Sequence, residues 1–305
     1  MYFFFFFTGL GQGGMEVSGN LVVADAFPKN NTGIMNLLHF FYGVGAFSGP
    51  AIISLALSNN LSGKIVLWAA SALFTALALL FILLYVNKPI SETEGQPVYI
   101  APSASVYRSP LLWLTGFMLL AYVGVEFGLG SWSTTFMEVS ARLPIQQGAL
   151  VTSAYWGFIT LGRLAGLVLS RKLSSLQLLG LAASGALLGG IALTIFTGTT
   201  AASIAIIMFI GLCFGTVYPS TIAFTSDAFI NNQGKAVGLV SAFGSIGGLT
   251  LPWMAGLILT KQTPLIFVLF ETAITLSMLA LFLWIKFSVA KQRSAVTHAV
   301  ETLQS

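Results

Sequence analysis

Charge is what this sequence has least of. Only 7% of its 305 residues are Asp, Glu, Lys or Arg, while 56% are hydrophobic; soluble globular domains carry roughly 25% charged residues. A surface facing water cannot be built from so few charges, so the medium around the folded chain is lipid. Cysteine is as scarce. The single Cys213 lies inside an apolar run, which excludes a disulfide framework or a Cys-rich metal site and leaves a small packing residue. There are two histidines, one of them in the C-terminal tail. No nucleophile–base arrangement, metal-ligand cluster or phosphate-cradling loop is apparent, and Gly11-Gln-Gly-Gly opens no βαβ unit. The chain is therefore read as a non-enzyme with no cofactor and no metal. Short alternating segments of about ten residues, the mark of a β-barrel, are missing. So are the charged flank and small-residue cleavage site of a signal peptide.

What the sequence does have is apolar runs of about 20 residues, each long enough to cross a bilayer as a helix. Nine are read, at about 2–26, 33–58, 64–86, 111–137, 145–170, 174–197, 201–226, 235–260 and 264–287. The fold class is all-α, multi-pass membrane protein. The 32 glycines suit close helix packing in lipid. Pro50, Pro219 and Pro252 fall inside helices and are expected to kink them. The net charge of +4 does not point to nucleic acid, because the basic residues lie in the breaks between runs. Assigning alternate breaks to opposite sides puts ten on one side, among them Lys88, Arg108, Arg163, Arg171, Lys235 and Lys286. Lys64, Arg142 and Lys261 fall on the other. By the positive-inside rule the first side is cytoplasmic, so the C-terminus is expected inside, in the plasma membrane.

The chain also repeats itself. Residues 9–50 match residues 211–252 at a constant offset of 202, with agreement at 12 of 42 positions. The block Asp25-Ala-Phe-x-x-Asn30 against Asp227-Ala-Phe-x-x-Asn232, and Pro50 against Pro252, are the informative matches. The copies are six runs apart and so share one orientation, a parallel repeat about an axis along the membrane normal, as in the two halves of major facilitator transporters. The offset places a partner for the run at 111 about 90 residues before Met1, room for three more helices. The nine runs are thus expected to be helices 4–12 of twelve. Residues 1–86 would be the remainder of an N-terminal half and 87–110, with Pro89, Pro97 and Pro102, a cytoplasmic linker. Residues 111–288 would form a C-terminal six-helix half and 289–305 a frayed cytoplasmic tail.

Several stretches resemble one family within that superfamily. Gly11-Gln-Gly-Gly-Met-Glu16-Val-Ser-Gly-Asn20 and Asn36-Leu-Leu-His39-Phe-Phe-Tyr-Gly43-Val-Gly45, with Ser48-Gly-Pro50, look like the fourth and fifth helices of the fucose permease-like sugar transporters. Tyr122-Val-Gly-Val-Glu126 with Trp132 looks like their seventh helix, and Gly162-Arg163-Leu-Ala-Gly166 with Ser170-Arg171-Lys172 is similar to the superfamily's second Gly-Arg loop. The resemblance implies a proton-coupled hexose or deoxyhexose carrier working by alternating access, with sugar, proton and lipid bilayer as partners. It also implies that the family's first three helices, with a second acidic residue and part of the sugar pocket, lie outside this chain.

Polar groups inside spans are costly unless they face a partner or a wet cavity, which makes each a functional candidate. Gln12, Glu16 and Asn20 are spaced by four and share one stripe of the first helix. Glu16 is mid-span and suited to taking up and releasing a proton, a role the resemblance also assigns to it; the plainer reading is a neutral acid bonded to a neighbouring helix. Asn36, His39 and Gly43 share a face of the second helix, offering donors and acceptors for sugar hydroxyls and a close backbone approach. The plainer reading of His39 is a satisfied packing residue. Tyr122, Glu126 and Trp132 suggest a carboxylate and an aromatic ring for a pyranose, though Trp132 also suits an interfacial belt. Glu271 is a weaker candidate near the outer end of its helix. Arg163 and Asp227 are expected near the cytoplasmic ends of their helices, either pairing as a gate or serving as surface topology signals. Three other readings stay open: a carrier of another small polar solute, a truncated product that does not transport, and a receptor or structural membrane protein, against which the repeat argues.

Overall fold

The computed structural model describes residues 2–59, 61–86 and 106–304. Among the described residues ten α-helices follow one another: α1 (Tyr2–Ala26), α2 (Asn31–Ser58), α3 (Gly63–Val86), α4 (Pro110–Ala141), α5 (Ile145–Leu169), α6 (Ser175–Ile195), α7 (Thr200–Phe214), α8 (Val217–Ala228), α9 (Gln233–Lys261) and α10 (Pro264–Gln304). Their prevalence has a direct cause: in lipid every backbone N–H and C=O must be satisfied internally, and a helix does this within its own segment. Among the described residues six spans are long and apolar enough to cross a membrane: Lys64–Leu84, Pro110–Ala141, Ser175–Ile195, Thr200–Ala228, Ile230–Lys261 and Pro264–Gln292. The other three predicted runs also lie on helices, α1, α2 and α5, and these carry Gln12, Glu16, Asn20, Asn36, His39 and Arg163. Most of the predicted linker at 87–110 falls outside the described residues. Helix α10 continues beyond its predicted apolar run to Gln304.

The run read as one helix at 201–226 is broken into α7 and α8 at Gly215–Thr216. Pro219 explains the break, because it has no N–H to return to the Gly215 carbonyl four residues earlier. The ladder resumes when Ser220 N donates to Thr216 O at 3.1 Å. Helix α9, by contrast, runs unbroken through Pro252.

Two compact units divide the chain. Residues 1–43 and 105–305 form one, and 44–104 the other, holding the later part of α2 and all of α3. Within the larger unit α4 is central: 72% of its spanning window is buried, against 33% for the windows in α9 and α10. Helices α5, α9 and α10 pack around it. Close approach depends on glycine at the crossing of α5 and α7. A Cβ on Gly162 would collide with the Leu212 carbonyl, and one on Gly215 with the Ile159 carbonyl. The outer faces carry exposed Leu181, Leu188, Ile195, Trp284 and Phe287. Such residues cost nothing when the surrounding solvent is hydrocarbon.

Candidate functional site

A cavity of about 680 Å³ opens within the larger unit, enclosed by α1, α2, α4, α5, α8 and α9. The stripe on α1 faces it as the four-residue spacing requires, with Gln12, Glu16 and Asn20 all on its wall. Helix α2 adds His39 and Tyr42, α4 adds Glu126, α5 adds Trp156 and Arg163, and α8 and α9 add Tyr218 and Ser241. Apolar walls with a few convergent polar groups, at this volume, are the general character of small-ligand sites.

The polar groups form two linked clusters. In the first, Arg163 is 4% exposed, and its Nη1 donates to the His39 carbonyl at 2.9 Å. Its Nη2 lies 3.5 Å from Glu126 Oε1, forming a buried ion pair, and the guanidinium carbon sits 5.6 Å from the centre of the Tyr42 ring. Helix α2 can lie this near because position 43 is glycine: a Cβ there would collide with Thr160 Oγ1 and come within 3.1 Å of Arg163 Nη1. The group that comes close to the Gly43 backbone is therefore α5.

In the second cluster the Tyr218 hydroxyl donates to Glu16 Oε1 and lies 3.4 Å from Ser241 Oγ. The His39 ring centre is 4.8 Å from that of Tyr218. His39 Nε2 is 3.1 Å from Asn20 Oδ1, a hydrogen bond that requires the proton on Nε2. Positions 16 and 218, and likewise 39 and 241, are partners under the 202-residue offset. Repeat-related positions thus meet at the cavity wall.

Of the residues singled out from sequence, Gln12, Glu16, Asn20, His39, Glu126 and Arg163 converge here. Asn36, Tyr122, Trp132 and Asp227 do not line the cavity. Asn36 Nδ2 donates to Thr32 O at 2.8 Å within its own helix, and its side chain packs on Gly166. Tyr122 is fully buried, donates to the Phe214 carbonyl at 2.9 Å and meets the Phe214 ring edge-on, as a strut between α4 and α7. Trp132 Nε1 donates to the Pro252 carbonyl at 2.7 Å and its ring covers Gly256, bracing α4 against α9. Arg163 and Asp227 are not brought together. Asp227 Oδ1 accepts from Asn31 Nδ2 at 2.8 Å, while Arg163 is drawn inward by Glu126.

Trp156, Tyr42, Tyr218 and Ser241 were not anticipated. Two of them had a signal: Trp156 lies seven residues, two helical turns, before Arg163 on one face, and Tyr218 is the repeat partner of Glu16.

Comparison with known proteins agrees with this architecture. The family described as Major Facilitator Superfamily matches residues 1–252. The sodium-dependent glucose transporter 1 of Homo sapiens is 21% identical over 87% of this chain and 57% of its own length. The nitrite extrusion protein of Bacillus subtilis is 27% identical over 81% of this chain and 61% of its own. Two crystal structures of FucP superpose. One is of this Major Facilitator Superfamily transporter in the outward conformation, with TM-score 0.73, 15% identity, and 90% of this chain and 72% of that chain covered. The other is of the E. coli fucose:proton symporter, with TM-score 0.72, 14% identity, and 89% and 73% covered. The chain spans under two thirds of the length of these two curated relatives. With a match across 252 of its residues, and a helical fold superposing on a solved member, the chain belongs to the major facilitator superfamily.

Proposed function

We propose that this chain forms most of the solute pathway of a secondary transporter for a small, uncharged polyhydroxy solute, a hexose or deoxyhexose, coupled to a proton at Glu16. The observation that carries the reading is the 680 Å³ cavity, in which one indole, one imidazole and several amide and carboxyl groups share an apolar wall. Asn20 Nδ2 is buried there without a partner among the described residues, and Gln12 adds a second amide on the same stripe. Trp156 offers the flat apolar face on which a pyranose stacks. Related proteins bearing the words glucose transporter and fucose:proton symporter support the solute class.

Proton coupling would work through Tyr218. Ionised Glu16 accepts the phenolic hydrogen. Once protonated, Glu16 becomes a donor itself and no longer needs that hydrogen, so the phenol can turn to Ser241, 3.4 Å away. Loading a proton thereby rearranges the polar wall that a sugar would touch, which is a differential contact between two states, the condition for coupling.

An anion such as nitrite fits less well. Two carboxyl groups and one guanidinium line the cavity, and the guanidinium is already held by Glu126 and the His39 carbonyl. The cytoplasmic C-terminus and the plasma membrane belong to the same proposal and rest on the distribution of Lys and Arg.

The test is calorimetric titration of the purified chain with L-fucose, D-glucose and nitrite. Saturable sugar binding is expected, weakened in Trp156→Ala and made insensitive to pH in Glu16→Gln. Nitrite binding with no sugar binding would overturn the solute class, and unchanged pH sensitivity in Glu16→Gln would remove the proton from that residue.

A further inference from the structure

Apart from the large cavity, a second and much smaller one lies between α4, α6, α7 and α10. Its volume is about 10 Å³, close to the least that admits one water, roughly 10–15 Å³ on this measure. Its wall is mostly apolar, with Val125, Leu129, Leu193 and Ile210, but α10 contributes Glu271, Thr272 and Thr275. Glu271 is 4% exposed, and neither of its carboxyl oxygens has a hydrogen-bond partner among the described residues. Thr272 Oγ1 is buried and unpartnered as well. The Thr275 hydroxyl donates to the Glu271 carbonyl at 2.8 Å, which leaves its oxygen free to accept. Buried polar atoms of native proteins almost always find partners, so orphaned atoms of Glu271 and Thr272 around one cavity call for a partner between the two side chains.

The space is shaped for these side chains. A Cβ on Gly128 of α4 would collide with Glu271 Oε1, and one on Gly190 of α6 would come within 2.9 Å of Thr272 Oγ1. Larger residues at 128 or 190 would fill the room that the polar groups occupy. Glu126 and Gly128 are two positions apart on α4 and point to nearly opposite sides. One faces the large cavity and the other faces Glu271. The two sites are therefore separate.

We propose that Glu271 is a permanently protonated carboxylic acid that binds one buried water in this cavity, forming an internal proton and water site. The acid O–H donates to the water oxygen, and the water's hydrogens go to the hydroxyl oxygens of Thr272 and Thr275. A bare carboxylate would need a counter-ion. Among the described residues no cationic side chain lies on the cavity wall, and Arg163 is engaged with Glu126. On α5 the Tyr155 phenol interacts electrostatically with Glu271 but donates its own proton to the Glu126 carbonyl at 3.0 Å. A sodium ion would find too few oxygens on so apolar a wall, since hard cations take about six. A neutral acid with a water needs only the groups that are there.

Infrared difference spectroscopy of the purified full chain tests this. The carbonyl band of a protonated acid is expected to be present from mildly acidic to mildly alkaline pH, unaffected by sodium, and missing in Glu271→Gln. Thr272→Val should shift that band, because the bridging water loses an acceptor. A carboxylate signal for Glu271 at neutral pH, or loss of the acid band on adding sodium, overturns the proton site. No shift in Thr272→Val overturns the bridging water. If Glu271→Gln does not fold, the Thr272→Val difference spectrum and the sodium titration of the unsubstituted chain still decide the matter.

Discussion

Replacing Arg163 by methionine removes a charge from a place where its partner cannot easily do without it. Both side chains of the Arg163–Glu126 pair are about 95% buried and the atoms are 3.5 Å apart. At an effective dielectric constant of about 20 that separation corresponds to an attraction of about 5 kcal/mol, before the cost of desolvating two ions is subtracted. Desolvation cancels much of it in the intact pair, but deleting one partner leaves the other's penalty in full, typically about 3–5 kcal/mol. Arg163→Met should therefore destabilise the purified protein severely. Glu126→Leu should do so comparably, by stranding the guanidinium. The double substitution should cost much less than the two singles together, with a coupling of about 2–3 kcal/mol. The assay is a double-mutant cycle on the solubilised chain, measured by equilibrium unfolding with tryptophan fluorescence. Additive effects, with coupling under about 0.5 kcal/mol, would show that Arg163 is held by the His39 carbonyl and not by Glu126.

Other consequences follow from the same contacts. Tyr218→Phe removes the hydrogen that Glu16 accepts, and the pH dependence of sugar binding should then follow Glu16→Gln; an unchanged pH profile would dissociate the phenol from coupling. Gly162→Val forces a side chain against the Leu212 carbonyl and should cost about 1–3 kcal/mol or more, with displaced α5 carrying Arg163 out of register, seen as a fall in unfolding temperature and in sugar affinity. Trp132→Phe loses one hydrogen bond to the Pro252 carbonyl and should cost about 1 kcal/mol while leaving sugar affinity unchanged, because Trp132 does not line the cavity.

Sequence alone determined the solvent, the helical class and the face of α1 that carries Gln12, Glu16 and Asn20. Each follows from a local rule: too few charges for water, runs of bilayer length, and a helical period that puts every fourth residue on one side. It also determined that Glu16 and Tyr218 occupy equivalent places in a repeat. Only the tertiary structure decided that these two would touch, because contact depends on how α1 and α8 are brought together across the cavity. The same applies to Arg163. From its position near the end of a run it resembles a surface charge, yet Gly43 and Gly162 let α2 and α7 come so close to α5 that the guanidinium is enclosed and finds Glu126. Tyr122 and Trp132 stood out because aromatic residues suit both sugar sites and packed interiors. Which of the two applies depends on whether a carbonyl from another helix meets the hydroxyl or the indole N–H, and Phe214 and Pro252 supply those carbonyls from far along the chain. A residue's chemistry and its place on a helix are written locally, whereas its partner is set by the packing of helices in space, which no local rule contains.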